Sequence, residues 1–444
     1  MREIKYLLLV AVGYLGGCGP TVDGSDPTEE VAGTSELAML ESELEDLLAS
    51  HAPDGDPGYF AMPLSSQLSA IPQSPLNPLT PQKVQLGKLL YHETAMAQDS
   101  TTGNNETYSC ASCHFAQAGF QANRAQGVAD GGSGFFNRVN NEGTAADVQP
   151  IRSPTSMNTA YQELMLWNGQ FGGGLGNDQF GDPSVDFVQL NASGLPGLEV
   201  QAIKGLAVHR MASGAGVVEG LGAYQGLFDA VFGPGGGNAT RHNAGLAIAA
   251  FERTVLANQA PFQRWLRGNP GAMSEAERRG AVVFFGDGGC VSCHTGPALS
   301  SMTFHSLGMG DLDESAEVIA GGVPDGTRRG RGGFTNNPDD DYKFKTPQLY
   351  NLAASPFYGH GATFSSIAEV VEYKNDGVAD KPNANLASEF AALNLTQDQQ
   401  DDLVAFLTTG LYDANLDRYV PASLPSGLCT PHNDPVSRAD LGCD

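Results

Sequence analysis

Basic residues are scarce: 24 lysines and arginines stand against 50 aspartates and glutamates in 444 residues, for a formal charge of −26. That shortage excludes nucleic-acid binding, which needs clustered Lys and Arg to meet phosphates. It is compatible with a basic protein partner, and acidity also serves to keep exported proteins in solution. Long apolar runs are lacking too. The one run of note, Tyr6 to Leu15, is too short to span a bilayer as a permanent helix. Strand signals are sparse, so a β-rich architecture is not expected.

What is present begins at the N-terminus. In "MREIKYLLLVAVGYLGGCGP" the apolar run follows Arg2 and Lys5 and precedes small residues, which makes residues 1–17 a secretory signal. Leu15-Gly16-Gly17-Cys18 resembles a bacterial lipobox, in which Cys18 becomes the acylated first residue of the mature protein. The expectation is a soluble body on the periplasmic side of the bacterial cell envelope, anchored to a membrane only by lipid.

The seven cysteines divide without remainder. "CASCH" holds Cys110, Cys113 and His114, and "CVSCH" holds Cys290, Cys293 and His294. A zinc site needs two such pairs close together, and a redox dithiol has no use for the histidine. C-x-x-C-H is the attachment signal of c-type haem: two thiols bond the vinyl groups and the histidine ligates iron. Two copies predict two covalently bound haems. With Cys18 assigned to lipid, Cys429 and Cys443 remain, and in an oxidising compartment they are expected to pair.

Residues 18–79 read as an acidic spacer carrying one amphipathic helix, with Leu37, Leu40, Leu44 and Leu47 at helical spacing. Thr80 and Pro81 open a helix leading to the first haem motif. Ser274 and Glu277 form a capping box before a helix leading to the second. Duplication of a small helical module follows, with one haem domain over 80–270, another over 271–425, and a tail over 426–444. Thr396 and Gln399 cap a closing helix that Gly410 stops, and a glycine-rich loop region lies near 171–197. The expected fold is mainly α: two cytochrome-c-like haem domains with long loops.

From residue 80 to about 415 the sequence closely resembles the bacterial dihaem cytochrome c peroxidase family, including its MauG-like members. "GKLLY", both CxxCH motifs, "RSPTSMN", "LWNG", "AAFERT", "FHSLG", "FKTPQLYNL" and "YGH" occur in the family's order. The resemblance implies that His294 ligates an electron-transfer haem and His114 a peroxidatic one. Trp167 in "LWNGQ" matches the tryptophan between the haems. A calcium ion between the domains is implied as well, although Ser153 follows Arg152 where the family has asparagine.

Departures from the family touch the chemistry directly. The distal segment "LEVQAIKGLAVHRM" keeps Gln201 but has His209 and Arg210 where a glutamate is usual. A histidine can still do acid-base work and an arginine can stabilise developing charge. On the far side of the second haem the family supplies methionine or tyrosine. A gap-free count from Tyr358 puts Lys374 there, and a slip of one puts Tyr373 there, with Met302 and Met309 less favoured. The expected activity is reduction of hydrogen peroxide with electrons from a small cytochrome or cupredoxin. The alternatives are MauG-like oxidation of a protein or peptide partner and a non-catalytic electron-transfer lipoprotein.

Overall fold

The computed structural model describes residues 27–443 except 137, 141–147, 175, 182–183, 212–217, 219–221, 236 and 320–321, with side chains from residue 36. The expected signal peptide and Cys18 lie outside the described residues. Helices dominate. A long α1 (Pro27–His51) precedes α2 (Pro81–His92), α3 (Asp186–Asn191), α4 (Gly197–Val208), α5 (Gly222–Phe232), α6 (Arg241–Thr254) and α7 (Pro261–Leu266). The second half holds α8 (Glu275–Phe285), α9 (Asp325–Arg328), α10 (Arg331–Thr335), α11 (Ile367–Asp376) and α12 (Gln397–Ala405), and α13 (Pro435–Leu441) lies in the tail. Among the described residues, strands make two short antiparallel ladders. β1 (Gly132–Ser133) pairs with β2 (Val139–Asn140), and β3 (Phe304–His305) with β4 (Phe344–Lys345).

The two halves repeat one device, a capped helix crossed by a partner at a glycine. The Thr80 hydroxyl accepts from the Lys83 amide at 3.2 Å to start α2, and Pro81 sits in its first turn. That helix crosses α6 so closely that a Cβ on Gly87 would stand 1.8 Å from the Ala247 carbonyl oxygen. In the second half the expected capping box starts α8: Glu277 accepts from the Ser274 amide at 2.7 Å and Ser274 from the Glu277 amide at 3.3 Å. A Cβ on Gly280 would come within 1.9 Å of the Asp402 carbonyl oxygen of α12. Each half also carries a 3₁₀ turn, Cys110–Ser112 in one and Cys290–Ser292 in the other. The Thr396–Gln399 box caps α12 as expected, and the helix passes into one π turn, Phe406–Gly410. One hydrophobic core runs through both halves, with Leu90, Phe251, Phe262, Phe284 and Phe406 in it.

The leading helix is docked on the body. Leu44 and Leu48 are fully buried, the His51 Nε2 lies 2.8 Å from the Phe285 carbonyl, and Glu41 pairs with Arg278 at 3.5 Å. Burying a leucine side chain is worth about 1.5–3 kcal/mol, enough to hold α1 on α8. The linking segment also packs: Phe60 meets Phe285 edge-on at 5.1 Å, and the Met62 amide donates to Gln263 Oε1 at 2.7 Å. Cys429 and Cys443 form the expected disulfide. The tail they close lies on the first C-x-x-C-H turn, where the Ser109 and Ser112 hydroxyls donate to the Pro431 carbonyl at 3.1 and 3.0 Å. Asp434 forms a buried ion pair with Arg138 at 2.7 Å. Among the described residues no helix is long and apolar enough to cross a membrane.

Candidate active site

Both motif histidines are held in the same way. His114 Nδ1 lies 3.3 Å from the Phe120 carbonyl; His294 Nδ1 lies 3.1 Å from the carbonyls of Leu299 and of Pro347. A carbonyl partner fixes the proton on Nδ1 and leaves Nε2 as a lone-pair donor, the orientation a metal-ligating imidazole requires. Burial, with the nearby His209 imidazole second, pushes His114 down to about 4. Burial also pushes His294 down to about 4, opposed by the Leu299 hydrogen bond and aided by Lys374. Each histidine is thus neutral at pH 7, with a basic side chain of another element within electrostatic reach. The four motif cysteines form no disulfide.

Gln201 and His209 lie eight residues apart along α4, with Gly205 between them, so all three fall on one face of the helix. The opposite face buries Ile203 and Leu206, and Glu199 is clamped there by Arg253 through bonds of 2.9 and 2.7 Å. His209 caps the C-terminus of α4, and its carbonyl accepts from Tyr108 Oη at 3.1 Å. Arg210 turns away at a φ of 54°, and its Nε stands 3.4 Å from Asp130 Oδ2. Burial alone would raise Asp130, but bonds from Ser100, Thr102 and Thr101 outweigh it and hold the carboxyl below its usual range. The structure therefore commits Arg210 to Asp130 and leaves His209 within electrostatic reach of His114.

Beside the second motif lies a cavity of about 670 Å³, lined by Cys290, Cys293, His294, Trp167, Lys374 and Met309 among others. Of the two candidates on α11, Lys374 faces this cavity. Tyr373 does not line it: its hydroxyl donates to the Leu307 carbonyl at 2.6 Å and its ring packs on Phe364 and Phe390. Burial raises the Tyr373 phenol to about 12 and lowers Lys374 to about 8. Met302 is also occupied elsewhere, its sulfur accepting from the Leu164 amide at 3.3 Å. Trp167 forms part of the cavity wall and donates from Nε1 to the Arg152 carbonyl at 2.8 Å. Arg152 in turn donates to Gln121 Oε1 at 2.8 Å, one residue past the carbonyl that orients His114.

The family model described as di-haem cytochrome c peroxidase matches residues 81–271. The cytochrome-c peroxidase IdrP1 of Denitromonas iodatirespirans is 30% identical over 380 residues, covering 81% of this chain and 88% of the relative. The chain belongs to the dihaem cytochrome c peroxidase family. A second relative in this family, the methylamine utilization protein MauG of Methylorubrum extorquens, is 27% identical over 345 residues, covering 77% of this chain and 81% of the relative. A solved MauG-like protein associated with microbial copper homeostasis shares the fold, with a TM-score of 0.58 at 23% identity, over 80% of this chain and 95% of the other.

As a dihaem cytochrome c peroxidase family member the protein is an oxidoreductase carrying two c-type haems. Its residues fit such groups: two neutral histidines held at Nδ1 by backbone carbonyls, four thiols outside disulfides, and a cavity within the roughly 300–1,000 Å³ range of cofactor sites. Several residues of these surroundings escaped the sequence reading. Glu252, in the "FERT" stretch, is buried; burial, with Glu199 second and Arg253 opposing, raises it to about 8. Burial and then Glu252 also push the Cys110 thiol up, which places this carboxyl close to the first motif. A charged letter inside an apolar helix was the available signal. The bonds of Arg152 to Trp167 and Gln121 and the tail's grip on the Cys110–Ser112 turn had none, because each depends on contacts distant in sequence.

Proposed function

We propose that the protein reduces hydrogen peroxide to water, H₂O₂ + 2e⁻ + 2H⁺ → 2H₂O, with electrons from a small periplasmic cytochrome or cupredoxin. One haem is attached at Cys110 and Cys113 with His114 as its ligand, the other at Cys290 and Cys293 with His294. Bound there, haem supplies an iron that binds peroxide and passes electrons. The supporting observation is the placement of His209, an acid-base group of another element, within electrostatic reach of His114. Imidazole can both take and give a proton near neutral pH, so the His209 ring accepts the proton of one peroxide oxygen and returns it to the departing one. Gln201 shares its helix face and orients the substrate by hydrogen bonding. Arg210, tied to Asp130, holds the end of α4 and with it His209 in place.

Trp167 is the electron relay of this reading, because it lines the cavity beside the second motif and is linked through Arg152 to the turn that orients His114. Carriage on the periplasmic side by a lipid on Cys18 belongs to the same proposal, tested by the mass of the mature N-terminal peptide. The calcium ion rests on the resemblance alone. Among the described residues the acidic cluster Asp311, Asp313 and Glu314 is engaged by Arg328 and Lys381. Metal analysis before and after chelation tests the ion. Steady-state peroxide consumption with an artificial electron donor tests the main proposal. Turnover is expected, and a protein with both haems loaded but no turnover would move the assignment to electron transfer without catalysis.

A further inference from the structure

Three lysines line the cavity beside the second motif: Lys345, Lys374 and Lys381. Lys345 donates to Gln162 Oε1 at 2.8 Å, and Lys381 is paired with Asp311 at 3.1 Å and with Glu314. Lys374 differs. Among the described residues no carboxylate or hydrogen-bond acceptor pairs with it; its Nζ lies 5.4 Å from the centroid of the Phe390 ring and within electrostatic reach of the Cys290 and Cys293 thiols. A lysine placed in an apolar cavity without a partner is costly unless a ligand completes it.

Its position is built by the helix that carries it. The Ser366–Glu369 capping box starts α11 and Gly377, at a φ of 62°, ends it. Ile367, Val370, Val371 and Lys374 all line the cavity, one stripe at helical spacing with the amine as its sole polar member. Cys290, Cys293 and His294 line the same cavity, with His294 Nδ1 held by backbone carbonyls and Lys374 within electrostatic reach of Cys290 and His294. We infer that Lys374 Nζ is the axial ligand opposite His294 on the iron of the haem attached at Cys290 and Cys293. In ligating, the ammonium releases its proton to solvent and gives its lone pair to iron. The inference rests on the haem attachment proposed above. A hard nitrogen in place of a thioether favours the oxidised iron, so this haem should take electrons only from a donor of comparably low potential.

The test uses the full-length protein matured with haem, its haem count read from the mass that survives acid-acetone extraction. The ferric protein should show no thioether-to-iron charge-transfer band in the far red. Lys374→Ala should convert one of the two haems away from the six-coordinate low-spin state in electron paramagnetic resonance. Lys374→Met, which refills the position and so guards against simple loss of folding, should create the thioether band and raise the potential of that haem. An unchanged Lys374→Ala spectrum with two haem increments overturns the ligand assignment. So does a parent thioether band abolished in Met309→Ala, or a low-spin signature lost in Tyr373→Phe. A parent carrying no haem increment at Cys290 and Cys293 overturns the attachment, and the ligand with it.

Discussion

His209 and Glu252 show how the same residue-scale rules act in opposite directions. The first is a polar side chain of another element within electrostatic reach of His114, the ligand proposed for the first haem. Its replacement by alanine is expected to slow peroxide reduction by roughly 10²-fold, the usual scale of a lost acid-base group, with both haems retained by mass. A parent-like rate would remove the shuttle role. Glu252 is a carboxyl raised to about 8 by burial, whereas the unfolded chain would titrate near the ordinary value of 4.5. Between those values the folded state holds the proton and the unfolded state has lost it. The stability this contributes is complete below pH 4.5 and falls by up to roughly 1.4 kcal/mol per pH unit until about pH 8. Glu252→Gln should flatten that slope, and denaturant midpoints at pH 5 and 8.5 would show it; identical pH dependence in parent and variant would refute the buried-acid reading. The letters of both residues were visible in the sequence, but a letter does not say what faces it.

At the scale of elements, caps and crossings divide the work. Capping boxes are local, which is why Ser274–Glu277 and Thr396–Gln399 could be read directly and are found in place. The crossings are not local. Gly280 looks like any helix glycine in sequence, yet α12 backbone would stand 1.9 Å from its Cβ. Gly280→Ala should therefore destabilise the protein by about 1–3 kcal/mol or more through overpacking. Gly226 in α5 is the control, since a Cβ there meets nothing within 4 Å. Replacing it with alanine should stabilise by about 0.4–1 kcal/mol. Equal effects of the two substitutions in urea unfolding would show that helix propensity, not the crossing, sets the cost. The leading helix shows the same limit: its leucine spacing was legible, but its docking on α8 through Leu44 and Leu48 was not.

For the whole molecule, the tail joins stability to the first haem motif. Its disulfide closes a separation of 14 residues, and in the chain-entropy model such a loop contributes on the order of 3 kcal/mol. Cys443→Ser should lower the unfolding midpoint. Because Pro431 accepts from Ser109 and Ser112, it should also increase amide exchange in the Cys110–Ser112 turn more than in the Cys290–Ser292 turn. Equal change at both turns would mean that the tail does not brace the motif. The parent protein should retain two haem increments in mass after acid-acetone extraction, and release of either group would refute that attachment.

Chemistry encoded in contiguous letters was determined by the sequence alone: two C-x-x-C-H motifs, the caps that start their helices, the pairing of the two spare cysteines, and a mainly helical fold. These features are short-range, so a few neighbouring residues suffice to specify them. The tertiary structure decided which side chain faces which histidine. One residue along α11 rotates a side chain by about 100°, and that rotation places Lys374 in the cavity and sends the Tyr373 hydroxyl to the Leu307 carbonyl. The same applies to Arg210, separated from Asp130 by 80 positions in sequence and by 3.4 Å in space. Such pairs are distant in sequence and close in space, and a linear sequence carries no record of the distance between them.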